Sequence, residues 1–292
     1  MPIILSGKVA RDELKKSLAF RIAAFQKRRG FPLTLAIIQV GDRADSTAYI
    51  NAKKKFASEI GVLVKLVHFG EGTRQKEIID EIKKLNQDKE ISGIIVQLPL
   101  PKKMDERIIL DAVDPSKDAD ATSSLNVEKW MAHSAALYPA TARGIGELLD
   151  FYKIDIKGKR VCIIGRSPLV GKPIACLCSA KGAFVTVCHS KTVDLVKETL
   201  AADVIITAVG KPALVTAAHL RSGQAVIDVG ISDEGVKKPD DGVSKRKLVG
   251  DVDFENVRAA LGKNGAISPV PGGVGPMTVL ALFENLVDCA KI

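Results

Sequence analysis

Tyr49 and Lys53 stand four residues apart in Ser46-Thr47-Ala48-Tyr49-Ile50-Asn51-Ala52-Lys53, so on a helix they share one face. A lysine beside a phenol in a partly dry cleft holds its proton less tightly and can act as general base or acid near neutral pH. The run Lys53-Lys54-Lys55 also fits a solvated helix face, so the pair needs partners from elsewhere. Gln97 is one candidate. It interrupts the apolar run Gly93-Ile94-Ile95-Val96-Gln97-Leu98-Pro99 near its carboxyl end, where parallel α/β sheets bind ligands. A glutamine there can hold an ammonium group and a substrate carbonyl, or satisfy buried backbone. Asp120 closes an Asp-rich segment; it could grip the N–H groups of a heterocycle bidentately, or serve as a loop carboxylate or helix cap. Histidine chemistry fits less well. His68, His133, His189 and His219 share no spacing with a nucleophile, and Ser167 lacks the G-x-S-x-G setting, which argues against a hydrolase triad.

A second constellation is Gly165-Arg166-Ser167-Pro168-Leu169-Val170-Gly171-Lys172-Pro173. It follows an apolar strand and precedes a helix, where N-terminal amides and the helix dipole attract a phosphate. Neither the G-x-G-x-x-G fingerprint nor a Walker loop is present, so the turn by itself also reads as a plain strand–helix connection. The next strand ends Cys188-His189-Ser190-Lys191, without the carboxylate that would bind a ribose 2′-hydroxyl. Arg166, Ser190 and Lys191 suit a 2′-phosphate instead, which favours NADP over NAD. A third feature, the uncharged Pro269-Val270-Pro271-Gly272-Gly273-Val274-Gly275-Pro276-Met277-Thr278, cannot do acid–base work. Its prolines stiffen the chain and its glycines permit close backbone approach, as in a wall against a ligand or a stiff turn.

Alternating elements must position these groups. Helical spacing over 11–30, 46–60 and 75–87 alternates with apolar strands at 33–40, 63–69 and 93–98, with Asp45 or Ser46 as the expected cap of the second helix. This is βαβα order, hence an α/β fold with a mostly parallel sheet. The pattern loosens over 104–142, and a helix at 144–152 leads into a second half. There, strands at 160–165, 183–188, 203–208 and 225–229 predict a Rossmann-like doubly wound sheet. A final helix over 277–292 is expected to return to the first domain. With 292 residues, 46% of them hydrophobic, the chain has the size and composition of a two-domain globular protein. Its +9 charge invites an anionic ligand, but only 4% of residues are aromatic and the basic residues are scattered, which argues against nucleic acid. No run reaches membrane-spanning length and the start lacks the layout of a signal peptide, so a cytoplasmic protein without a membrane partner is expected. Five cysteines without a CxxC pair read as small buried hydrophobes, and no metal is expected.

Taken together and in order, these segments resemble the bifunctional methylenetetrahydrofolate dehydrogenase/methenyltetrahydrofolate cyclohydrolase family over nearly the whole chain. The matching stretches are Ser46-x-x-Tyr49-x-x-x-Lys53, Ile94 to Pro101, the GRSPLVGKP turn, Cys188 to Thr192, Ile227-Asp228-Val229-Gly230-Ile231, Gly250-Asp251-Val252-Asp253 and the PVPGGVGPMT loop. The resemblance implies a folate domain over 1–142 plus 274–292, an NADP-binding domain over 143–273, a site in the cleft between them, and a homodimer. It implies that Lys53 is the central catalytic residue, with Tyr49 and Gln97 tuning it. Asp120 would bind the pterin, Val96 and Leu98 would flank the substrate, and Pro271, Gly272 and Gly273 would form a backbone wall beside the folate. Gly165, Arg166, Ser167, Ser190 and Ile231 would contact NADP. The alternative is a folate- or NADP-binding paralogue that has lost one or both activities. Three places depart from the family pattern: Ala121-Thr122 where Gly and a bulky apolar residue usually follow Asp120, Glu128 in place of a glycine, and Pro139-Ala140-Thr141-Ala142 in place of P-C-T-P.

Overall fold

The computed structural model describes residues 1–134, 137–234 and 247–291. The chain divides into two compact units: Asp12–Ala140 with Val279–Ile292, and Met1–Arg11 with Thr141–Thr278. In chain order the elements begin with β1 (Ile3–Ile4), α1 (Gly7–Arg29), β2 (Thr34–Val40), α2 (Ala44–Glu59), β3 (Leu63–Phe69), α3 (Gln75–Gln87), β4 (Gly93–Val96), α4 (Glu106–Asp111) and α5 (Ser124–Met131). They continue through α6 (Ala140–Phe151), β5 (Arg160–Ile164), α7 (Gly171–Ala180), β6 (Phe184–Cys188), α8 (Leu195–Ala201), β7 (Val204–Thr207) and β8 (Ala225–Asp228). The last are β9 (Ser232–Glu234), β10 (Lys247–Val249), α9 (Phe254–Leu261), β11 (Ala266–Ile267) and α10 (Val274–Cys289).

In the unit built on 12–140, three parallel strands run in the order β3-β2-β4. Central β2 is buried on both faces, which is why it reads as an unbroken apolar run. The apolar stripe of α3, Ile78, Ile82 and Leu85, packs with Ala36, Ile38, Ile94 and Val96, and each of the Ile, Leu and Val side chains contributes roughly 1.5–3 kcal/mol on burial. The strand at 93–98 is shorter than its apolar run suggests. Ladder pairing stops at Val96, although the Gln97 N–H still donates to the Ile38 carbonyl at 2.8 Å. Neither Asp45 nor Ser46 caps α2: the helix begins earlier, at Ala44, and Asp45 pairs instead with Arg43 at 2.7 Å. The loosely patterned 104–142 holds two short helices, of which α4 is capped by the Asp105 carboxylate accepting from the Ile108 N–H. The last part of α10 completes this unit: Phe283 meets Phe56 with ring centroids 5.5 Å apart, and Glu284 pairs with Arg21 at 2.6 Å.

The other unit is a six-stranded parallel sheet, β1-β11-β8-β7-β5-β6. Counting only its strands from β5 onward, the order is 2-1-3-4-5, with the topological switch point between β5 and β7. The first residues of the chain, expected in the folate domain, lie here. Ile3 and Ile4 pair with Ala266 and Ile267 of β11, and the Tyr152 hydroxyl bonds both the N–H and the carbonyl of Ser6. The signal was a two-residue strand, too short to show a period. All five cysteines are free; Cys162, Cys178, Cys188 and Cys289 are buried, and burial pushes the Cys178 thiol up to about 12. Among the described residues no helix is long and apolar enough to cross a membrane.

Candidate active site

Helix α2 carries Tyr49 and Lys53 on successive turns, and β4 ends just before Gln97. The Lys53 Nζ donates to Gln97 Oε1 at 2.9 Å, while Gln97 Nε2 donates to the Leu98 carbonyl at 2.8 Å. The second bond sets the amide so that its oxygen faces the ammonium. The lysine head therefore sits at the carboxyl end of the parallel sheet, held by one neutral partner. Burial pushes its pKa below the usual lysine range, and the Asp120 carboxylate pulls it back upward. Tyr49 is 44% exposed; partial burial and the Asp45 carboxylate raise its phenol, so it remains a neutral hydroxyl. Val96 is buried and Leu98 half-buried beside Gln97.

Asp120 is placed by a polar framework that sequence reading did not identify. The Ile94 N–H donates to the Lys117 carbonyl at 2.6 Å and the Ala119 N–H donates to the Ile94 carbonyl at 3.2 Å, so the segment before Asp120 lies along β4. Buried Asp118 accepts from the Ser123 N–H at 2.8 Å and the Asn126 amide at 3.0 Å. Its carboxyl is pushed up by burial, and these hydrogen bonds work against that shift. Asn285, fully buried on α10, donates to the carbonyls of Ala119 and Tyr138, each at 2.9 Å. Gln39 is likewise buried at the end of β2 and donates to Gly41 O and Thr47 Oγ1 near the start of α2. Gln39 and Asn285 interrupt largely apolar runs, which was the available signal, whereas Asp118 and Asn126 lie in polar stretches that offered none. Ala121 has φ +52°, so the chain turns through the left-handed region immediately after Asp120. Glycine fits that conformation most easily, which gives the first departure from the family pattern its physical meaning.

In the other unit, the turn after β5 is a cradle that side chains would fill. Gly165 has φ +121°, and a Cβ on it would meet the Ala208 carbonyl; a Cβ on Gly171 would meet the Gly165 carbonyl. Ser167 Oγ accepts from the Gly171 N–H at 3.2 Å at the start of α7, and Arg166 and Ser167 are exposed. The Gly165 N–H donates to the Cys188 carbonyl at 2.9 Å, which sets this turn beside the end of β6 and its exposed Ser190. Arg166 and Ser190 thus rise from neighbouring strand ends that carry no carboxylate. That donor set and the open backbone fit a dinucleotide with a 2′-phosphate. Ile231 is 44% exposed just past β8. Pro271 is exposed, Gly272 has φ +103°, and Gly273 is buried with its N–H donating to the Pro269 carbonyl at 2.8 Å. Within this unit the close approach that these glycines permit is to Gly7, whose Cβ would meet the Gly273 carbonyl.

Known proteins with the same arrangement are numerous. Residues 5–120 match the family model described as tetrahydrofolate dehydrogenase/cyclohydrolase, catalytic domain, and residues 139–292 match its NAD(P)-binding domain. The chain is 42% identical over 289 residues to the bifunctional protein FolD of Acetivibrio thermocellus, covering 99% of this chain and 97% of that one. It is also 42% identical to the mitochondrial C-1-tetrahydrofolate synthase of Schizosaccharomyces pombe, but spans only 29% of that longer protein. The crystal structure of the FolD dehydrogenase/cyclohydrolase from Campylobacter jejuni superposes with a TM-score of 0.90 at 38% identity, covering 100% of this chain and 99% of that one. The Trypanosoma brucei methylenetetrahydrofolate dehydrogenase-cyclohydrolase, solved with NADP cofactor and inhibitor, gives 0.90 at 34% identity, covering 99% and 97%.

Proposed function

The chain belongs to the tetrahydrofolate dehydrogenase/cyclohydrolase family, and from that premise we propose that Lys53, Tyr49 and Gln97 are its catalytic set. The enzyme oxidises 5,10-methylenetetrahydrofolate to the methenyl form with NADP⁺ and hydrolyses that product to 10-formyltetrahydrofolate, in one-carbon metabolism. The observation that carries the residue assignment is the Lys53–Gln97 hydrogen bond of 2.9 Å at the carboxyl end of a parallel sheet.

Oxidation removes a hydride from the methylene carbon that bridges N5 and N10, and the two folate nitrogens stabilise the cation left behind. NADP⁺ held by Gly165, Arg166, Ser167, Ser190 and Ile231 would supply the nicotinamide as hydride acceptor. The protein's task in this step is alignment. Hydrolysis needs proton management. Water adds to the methenyl carbon, one of its protons leaves to solvent, the bond to N5 breaks, and N5 takes the other proton. Lys53, with its proton affinity lowered by burial, accepts and returns protons, while Gln97 keeps its Nζ in place. Tyr49 contributes a neutral hydroxyl on the same helix face. The Asp120 carboxylate binds the pterin N–H groups, Val96 and Leu98 flank the substrate, and Pro271, Gly272 and Gly273 present backbone to the folate. Gly165, Arg166, Ser167, Ser190 and Ile231 contact NADP.

Replacing Lys53 with Met should cut methenyltetrahydrofolate hydrolysis by about 10³-fold with the fold retained. Hydrolysis at the wild-type rate would remove Lys53 from the mechanism. The preference for NADP⁺ over NAD⁺ should shrink in Arg166→Ala, and equal losses with both cofactors would sink the 2′-phosphate assignment. Two further points belong to the same reading. A homodimer is supported by the free edge of β6, where Phe184 is 70% and Val187 40% exposed; Phe184→Lys should lower the mass measured by light scattering to that of one chain. Five free cysteines suit a reducing, cytoplasmic setting.

A further inference from the structure

Asp228 and Asp251 themselves have no part in the chemistry above, yet their buried carboxylates lie at the carboxyl ends of β8 and β7. Asp251 is fully buried. Its Oδ2 accepts from Thr207 Oγ1 at 2.9 Å and the Val209 N–H at 2.7 Å, and its Oδ1 accepts from the Lys211 N–H at 2.7 Å. Asp228, 3% exposed, accepts from the N–H groups of Gly230 and Asp251, each at 3.0 Å, and of Val252 at 2.9 Å. A Cβ on Gly230 would strike the Asp251 carboxylate, and one on Gly250 would strike that of Asp228. Glycine at both positions is therefore what lets the acids reach backbone.

Burying two carboxylates is costly, and strand ends do not ordinarily require it. What a carboxylate offers here is several acceptor sites and no donor to compete with the amides it gathers. Asp251 draws the N–H groups of the loop Val209-Gly210-Lys211 inward, while Val209 stays 47% exposed. Ser232 Oγ donates to the Gly210 carbonyl at 3.0 Å, so that loop is tied to the segment just after Ile231. Ala208, at the start of the same loop, backs directly onto Gly165 of the phosphate turn. The two clamped loops therefore stand at and beside the switch point between β5 and β7, where doubly wound sheets bind their ligand.

We propose that Asp251 is a positioning residue for bound NADP, holding the Val209-Gly210-Lys211 loop in its binding geometry, with Asp228 doing the same for the segment that carries Ile231. This rests on the placement of NADP at Gly165, Arg166 and Ser167. A loop that is not ordered beforehand must be ordered by the ligand, which weakens binding.

In Asp251→Asn an amide N–H₂ faces a backbone N–H, so one of the three clamping bonds is replaced by a repulsion. NADP binding to the full chain, measured by calorimetry, should weaken about tenfold. The KM for NADP⁺ should rise by a similar factor, and kcat at saturating cofactor should fall much less. Ser232→Ala, which unties the two loops and leaves both acids in place, should weaken NADP about threefold and decides the matter if Asp251→Asn does not fold. Wild-type NADP affinity in both variants, or in Ser232→Ala alone when Asp251→Asn does not fold, overturns the proposal, as does a loss confined to kcat. Arg166→Ala separates the two readings. If it narrows the preference for NADP while Asp251→Asn and Ser232→Ala bind normally, the cofactor placement stands and the positioning role falls. If it changes neither cofactor, the placement falls and takes the positioning role with it.

Discussion

Lys53 and Asp251 are both charged groups withdrawn from water at the carboxyl ends of parallel strands, yet one has a single neutral partner and the other has three donors. A cation with one amide oxygen beside it keeps a low proton affinity and can exchange protons. A carboxylate that accepts from Thr207, Val209 and Lys211 has most of its acceptor sites committed to the chain around it and instead freezes backbone. Partner count separates reactive from structural charge in this molecule more clearly than burial does.

The contrast can be tested most severely at Asp228, whose carboxyl is pushed up to about 7, chiefly by burial and against three backbone hydrogen bonds. Its value in an unfolded chain is about 3.9. Between those two values the folded protein holds a proton that the unfolded chain has released. The stabilisation it brings is complete below about pH 4 and is lost as pH rises through 7, amounting to at most about 4 kcal/mol. Urea unfolding of wild type and Asp228→Asn at pH 5 and pH 8 should show this slope in wild type alone. Equal slopes would mean that burial does not shift the titration of Asp228 and that the clamp holds the charged form without cost.

At the other pole, Gln97→Glu gives Lys53 a charged partner. The carboxylate favours the ammonium form, so Lys53 holds its proton more tightly and the limb of the pH–rate profile that reports its deprotonation moves to higher pH. Hydrolysis at pH 7 should fall about tenfold and recover in alkaline buffer. A profile displaced downward without a shift along the pH axis would show that Gln97 orients substrate rather than tuning the lysine. The smallest effect concerns Ala121, at φ +52° beside Asp120. Ala121→Gly should stabilise the protein by about 1 kcal/mol, visible as a higher Tm, because glycine adopts this conformation without strain. A lower Tm would mean that the Ala121 methyl, fully buried, contributes more by packing than its backbone costs.

Much of the frame was legible in advance, and the reason differs by element. The strand over Leu63–Phe69 and the helix over Gln75–Gln87 have the expected bounds, because in both an apolar pattern ends at a turn. The start of α2 was missed because Asp45 forms a pair with Arg43 instead of capping. The short α4 and α5 were missed because six to eight residues hold too few apolar positions to show a helical period. For the site, Lys53 was legible from its four-residue spacing to Tyr49, and Gln97 because it interrupts an apolar run. Asn285 went unread because its partners lie far off in the chain, 166 residues away for its bond to Ala119. Asp118 and Asn126 bond each other across only 8 residues but lie in a polar stretch without a period to single them out.

By itself, the sequence determined the α/β alternation, the chemical types available at the site and the absence of a carboxylate after β6. These depend on period, residue type and neighbours along the chain. Only the tertiary structure decided which groups meet: that Lys53 bonds Gln97, that Met1–Arg11 joins the unit of the second half, and that Asp228 and Asp251 each gather three donors. Hydrogen bonds and burial act across space, so a residue's proton affinity and rigidity are set by neighbours that chain order does not place beside it.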